Sequence, residues 1–142
     1  MLPTERTLKW VRGQGYLAGV VERWMQWAQK KEGRGGNRVD LFGFADILAV
    51  RAGEPALALQ CFGATAWTLH EEKILGDPKI SENVRIWLSG GHRLQFVCWR
   101  KLKRKRGGVA VIYRPRVGEV VVDQHTGELQ VLEQEAEALH GS

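Results

Sequence analysis

The sequence predicts an α/β domain with a central mixed sheet flanked by helices, and three observations lead there. Short apolar runs rich in β-branched residues recur between turn residues, as buried strands do. Helical spacing marks the amino terminus and the segment after the third of these runs, giving the order α-β-β-β-α-β-β. The length of 142 residues suits one core.

In chain order, Thr4-Glu-Arg-Thr7 reads as an N-cap followed by a first-turn acid. Leu8, Trp10 and Val11 give a helix over 4–13 an apolar stripe, and Gly13-Gln-Gly15 stops it. Tyr16 to Trp24 is β-branched and apolar and reads as one strand. Gln29 to Asn37 is a polar, Gly-rich loop. Val39 to Val50 is apolar except for two aspartates. After the turn Arg51-Ala-Gly-Glu-Pro55, Ala56 to Cys61 forms a buried strand. Residues 65–75 and 79–88 are helical, with Ile80, Val84, Trp87 and Leu88 of the second on one face. Arg93–Trp99 and Val109–Tyr113 are strands, with Glu119–Val122 a last edge. The domain is expected over 1–122, and 123–142 is expected as an acidic tail whose Leu129, Leu132 and Ala136 line a short helix.

Apolar residues make up 44% and charged residues 26%, ordinary globular values that exclude disorder and a disulfide-stapled miniprotein. The longest apolar runs fall far short of the ~18 to 20 residues of a membrane helix. The start, MLPTERTLKW, has no apolar h-region behind it, which predicts no secretion. Cys61 and Cys98 sit in strand-like stretches without C-x-x-C spacing and read as reduced core thiols. Together these predict a soluble, cytoplasmic protein with no membrane partner. Trp10, Trp67 and Trp87 fall where helices face a core.

The charge is uneven. Twenty-one Lys and Arg face 16 Asp and Glu, a net +5, and Arg100-Lys-Leu-Lys-Arg-Lys-Arg106 holds six cations in seven residues. So dense a block (Arg100, Lys101, Lys103, Arg104, Lys105, Arg106) can neutralise several phosphates at once, which predicts DNA binding with a steep salt dependence. Lys30, Lys31, Arg34 and Arg38 flank Gly33-Arg-Gly-Gly36 and form a second candidate arm, one that lacks the Gly-Lys-Ser/Thr ending of a Walker loop.

Glu22, Asp40, Asp46 and Gln60 interrupt or border stretches otherwise apolar enough to be core, where an unpaired carboxylate is costly. Any one of them is explained as a turn cap or a partner for backbone. The four together point to a divalent cation, with Asp46 and Glu22 giving carboxylate oxygens, Gln60 an amide oxygen and Cys61 its peptide carbonyl. Asp46 and Gln60 lie 14 residues apart, so a hairpin through 51–55 brings them together.

Val21-Glu-Arg-Trp24, Arg38-Val-Asp-Leu-Phe-Gly-Phe-Ala-Asp46, Leu59-Gln-Cys61 and Trp99-Arg-Lys carry a resemblance to the PD-(D/E)XK nuclease superfamily. Within it, they look like the small phage-borne branch related to archaeal Holliday junction resolvases. The likeness spans roughly residues 4–113 and implies a restriction-endonuclease-like sandwich using Mg²⁺ or Mn²⁺. Asp46 stands at the family's aspartate and Gln60 at its second-strand Glu/Gln. The family's lysine falls at Phe62, a departure; Lys73, with His70 one turn earlier, is the candidate replacement on the following helix. Either Glu5 or Glu22 matches the first acid, and Glu22 is favoured because Glu5 already serves its helix N-terminus.

The resemblance thus implies catalysis by Asp46, Gln60, Lys73 and Glu22, and junction cleavage by a homodimer. A nuclease of plain duplex or flapped DNA, and a DNA-binding protein whose catalytic site has decayed, are the alternatives.

Overall fold

Pro3 suits the first turn of a helix, where its missing N–H costs nothing. Helix α1 (Pro3–Arg12) begins there in the computed structural model, which describes the backbone of residues 1–29 and 35–135 and the side chains of 1–23 and 39–135. Its cap differs from the expected one. Glu5 reaches back to the Leu2 amide at 3.1 Å, while Thr7 lies inside the helix with its hydroxyl donated to the Pro3 carbonyl.

After α1 come β1 (Leu17–Val20), β2 (Arg23–Gln29), β3 (Gly35–Val39), β4 (Ile47–Val50) and β5 (Leu57–Gly63). Helices α2 (Trp67–Gly76) and α3 (Pro78–Ser89) follow, then β6 (Arg93–Lys103), β7 (Val111–Val122) and β8 (Leu129–Gln134). Among the described residues, six strands form one mixed sheet in the order β1-β4-β5-β6-β7-β8, and β2 and β3 form a separate antiparallel ribbon. Within the sheet β5 and β6 are parallel neighbours, joined through α2 and α3, and the other pairs are antiparallel.

Strand alternation sorts the core into two layers. Ile47, Ala49, Leu57, Leu59, Val97 and Trp99 pack with Val11 and Tyr16 on the α1 side. Ala58, Phe62, Leu94, Phe96, Cys98 and Val120 pack with Trp67, Ile74 and Val84 of α2 and α3. Each fully buried Leu, Ile or Phe contributes about 1.5–3 kcal/mol. Trp99 adds a hydrogen bond from Nε1 to the Thr7 hydroxyl at 2.9 Å, tying the sheet to α1. At Gly118 an added Cβ would fall 2.8 Å from the Trp67 ring, so the bare backbone lets α2 sit close on β7.

Several expected boundaries change. The strand expected over 16–24 breaks at Val21-Glu22, because both amides turn to the Asp46 carbonyl (2.8 and 3.3 Å). Gln29 and residues 35–37 of the expected loop belong to the β2–β3 ribbon. Residues 39–50 are divided by a turn closed by Leu41 and Ala45, whose backbones exchange hydrogen bonds at 2.9 and 3.0 Å. Val111–Val122 is one continuous strand, long enough to pair β6 along its distal half. The expected tail helix is instead β8. Leu129 and Val131, two residues apart, pack on the same core layer, and β7 offers a full ladder that a helix could not use. The domain therefore extends past residue 122; residues 136–142 lie outside the described chain. Both cysteines are free thiols. Among the described residues no helix is long and apolar enough to cross a membrane.

Candidate functional site

The site is assembled by backbone pairing at the amino-terminal end of β4. The Asp46 amide donates to the Leu59 carbonyl at 2.9 Å, placing Asp46 beside the middle of β5. Its Oδ2 then accepts from the Cys61 amide at 2.8 Å. Its carbonyl receives Val21 and Glu22, which brings Glu22 in from the end of β1. The 41–45 turn carries Asp40 to the same spot, and the Gly43 amide donates to the Asp40 carbonyl at 3.1 Å.

The result is a cluster in which carboxylate oxygens of Glu22, Asp40 and Asp46 all lie within 4.8 Å of one another. Gln60 stands against it, fully buried, its Nε2 donating to Asp40 Oδ2 at 3.2 Å while Oε1 has no partner. A buried amide oxygen without a donor is costly and needs explanation. Lys73 reaches in from α2, with Nζ 3.4 Å from Asp40 Oδ2.

Burial first, then the hydrogen bond and negative charge of Asp40, push the Asp46 carboxyl up to about 9. Left to itself, the cluster therefore holds a proton at neutral pH. A divalent cation relieves the same crowding, and the donor set of three carboxylates and an amide oxygen is the hard-oxygen kind that Mg²⁺ and Mn²⁺ take. The residues present fit such an ion.

Asp46, Gln60 and Glu22 of the expected set thus come together with Lys73, and Glu22 rather than Glu5 is the acid beside Asp46. Asp40 completes the cluster. It is legible as a buried-run carboxylate, but nothing in the spacing ties it to Asp46, because the intervening turn is what folds it back. Cys61 contributes by its backbone alone: its amide holds Asp46, and strand alternation turns its carbonyl to the edge that the Leu59 carbonyl faces. Burial drives its thiol well above the usual range, so the sulfur stays protonated.

His70 is not part of the donor set. Its ring stacks on Phe62 at 4.3 Å between centroids, and burial followed by the charge of Lys73 lowers its pKa, keeping it neutral.

Of the basic residues, Arg100, Lys101 and Lys103 lie where β6 runs on beyond Gly63, the last residue of β5, paired only with β7. Arg104, Lys105 and Arg106 follow in the connecting turn, and all six cations are exposed. The Arg38 backbone pairs with Trp24 in the ribbon, while Lys30, Lys31 and Arg34 lie outside the described residues.

A cavity of about 580 Å³ adjoins the cluster, with Arg23, Asp40, Phe42, Lys79 and Asn83 among its walls. Phe42 adopts φ 58°, the left-handed region, where a bulky residue is an outlier costing about 1–3 kcal/mol. Gly43 follows at φ 85°, and a Cβ there would meet Ile80 of α3 at 3.0 Å.

No protein family, no curated protein and no solved structure matches this chain.

Proposed function

We propose that the chain is a Mg²⁺- or Mn²⁺-dependent endonuclease of the restriction-endonuclease-like fold that cleaves branched DNA, resolving four-way junctions as a homodimer. The observation that carries this reading is the convergence of the Glu22, Asp40 and Asp46 carboxylates, with the buried Gln60 amide against Asp40, its oxygen unpartnered, and Lys73 alongside. The antiparallel strands β1, β4 and β5, followed by a helical crossover to parallel β6, support the fold likeness. The exposed cationic extension of β6 and β7 supports a polyanionic substrate.

Asp46, Asp40, Glu22, Gln60 and the Cys61 carbonyl would hold the ion. Once bound, it supplies an activated water near neutral pH and neutralises charge on the scissile phosphate. The residues of the chain do the rest. The Cys61 amide fixes the Asp46 carboxylate, and Gln60 orients Asp40. Lys73 provides the cation that the family places at Phe62; beside Asp40, it offsets carboxylate crowding and supplies a proton donor for charge developing on the phosphate. Homodimerisation is part of the proposal because a four-way junction presents two symmetry-related strands to be cut.

Phe62, packed under His70 where the resemblance puts a lysine, is the observation favouring the second reading, a DNA-binding protein that no longer cuts. Nicking of a synthetic four-way junction, compared with linear and flapped duplex and with EDTA added, decides. Paired, EDTA-sensitive cuts at the junction are expected. Cuts in any DNA indicate a general nuclease, and tight binding without cuts in Mg²⁺ or Mn²⁺ rejects the enzyme.

A further inference from the structure

Phe42 and Phe44 stand two residues apart and are treated oppositely. Phe44 is completely buried against Trp87, whereas Phe42 is 55% exposed. The backbone that carries the exposed ring is fixed. The turn is closed between Leu41 and Ala45, and the Asn83 side chain of α3 donates to the Phe42 carbonyl at 3.1 Å. A glycine would meet φ 58° without strain, so the backbone conformation does not explain a phenyl ring here.

The surroundings identify what the ring is suited to. It borders the cavity that also contains Asp40 of the acidic cluster, and Arg23 and Lys79 line the same cavity. An apolar face next to two cations, beside a site that would hold a divalent ion, matches one nucleotide unit: a base to stack and phosphates to neutralise. A continuous duplex offers no such base, since its ring faces are already covered by neighbouring pairs.

We propose that Phe42 is a specificity-determining residue, a platform on a fixed backbone against which a base left unstacked or unpaired at the branch packs while Arg23 and Lys79 take the adjoining phosphates. The proposal rests on the DNA reading above and narrows its substrate class to branched DNA with an unstacked or unpaired nucleotide beside the cleavage site.

The test is equilibrium binding of a splayed-arm DNA and a continuous duplex in Ca²⁺, by the full chain and by Phe42→Leu and Phe42→Trp. Mn²⁺ binding is recorded for each as a check that the site has formed. The parent should prefer the splayed arm. Phe42→Leu should lose roughly ten- to hundredfold of that preference, and Phe42→Trp should keep it. A 5-iodouracil at the unpaired position should photocross-link to residue 42 in the parent.

A parent indifferent to the splayed arm, or a preference equal in Phe42→Leu and parent, overturns the platform. Mg²⁺-dependent cutting is scored separately. If cutting is absent but the preference depends on residue 42, stacking stands and the nuclease does not. If cutting is present and residue 42 has no effect on preference, the reverse holds.

Discussion

Asp46, just before β4, and Glu119, within β7, are both buried, 5% and 9% exposed, yet their carboxylates are compensated in opposite ways. Glu119 accepts from Arg93 twice, at 2.7 and 3.1 Å, and from Gln95 at 3.0 Å. Asp46 receives one backbone amide and faces two further carboxylates, while Lys73 is paired with Asp40. Burying an ionised group is tolerable only with charge and hydrogen bonds around it. The fold supplies both to Glu119, whereas the carboxylate of Asp46 itself is met by one backbone amide and by the carboxylates of Asp40 and Glu22. Glu119 is satisfied within the fold; Asp46 is the carboxylate that the proposed cation would compensate.

The largest effect should come from Asp46→Asn. Cleavage should fall by several powers of ten while the fold and DNA binding persist, because the amide oxygen still accepts from Cys61. Metal-free thermal stability should rise, since a crowded buried carboxylate is gone. Equal Mg²⁺-dependent cleavage by mutant and parent rejects the site.

Titration gives the next effect. The Asp46 carboxyl is raised from the ordinary 3.8 to about 9, so the folded state binds this proton more tightly than the unfolded chain does. Stability without metal should therefore decline as pH rises through that window. A divalent cation must displace the proton, so Mn²⁺ affinity should increase about tenfold per pH unit between pH 6 and 8. Calorimetric titration at pH 6, 7 and 8 checks this, and a flat profile sinks the shared-proton account.

Glu119→Gln should show the opposite of Asp46→Asn. Loss of the charged acceptor for Arg93 should cost about 1–2 kcal/mol, visible as a lower Tm, with Mn²⁺ affinity unchanged. A drop in metal affinity would remove the distinction between the two acids. Smallest is the effect of neutralising Arg100, Lys101 and Lys103. The slope of log K against log salt should shrink by about 0.9 for every phosphate no longer neutralised, and an unchanged slope assigns the run to solvent.

Asp46 and Gln60 are legible in the sequence because a polar residue inside an apolar run is conspicuous wherever the run is buried, and the Gly-Glu-Pro turn brings the two flanking strands together. Lys73 is legible only through the resemblance, as the candidate to replace the lysine that the resemblance puts at Phe62. The places of Asp40 and Phe42 are not legible, because both depend on a turn whose closure by Leu41 and Ala45 leaves no periodic mark. The β8 strand carries a misleading helical pattern for a related reason. Leu129, Leu132 and Ala136 fit a helical stripe, whereas Leu129 and Val131 fit a strand, and β7 as a neighbour decides between them.

By itself the sequence determined the class of fold, the apolar runs that become strands, the density of cations at 100–106 and the polar residues that had to be compensated. These follow from local pattern and composition, which every chain carries whatever its partners in space. Tertiary structure decided that the carboxylates of Glu22, Asp40 and Asp46 lie within 4.8 Å of one another, that Gln60 keeps an unanswered oxygen beside them, and that Phe42 faces outward. Those facts arise from pairings between segments distant in sequence, and electrostatic crowding exists only once such pairings bring like charges within a few ångströms.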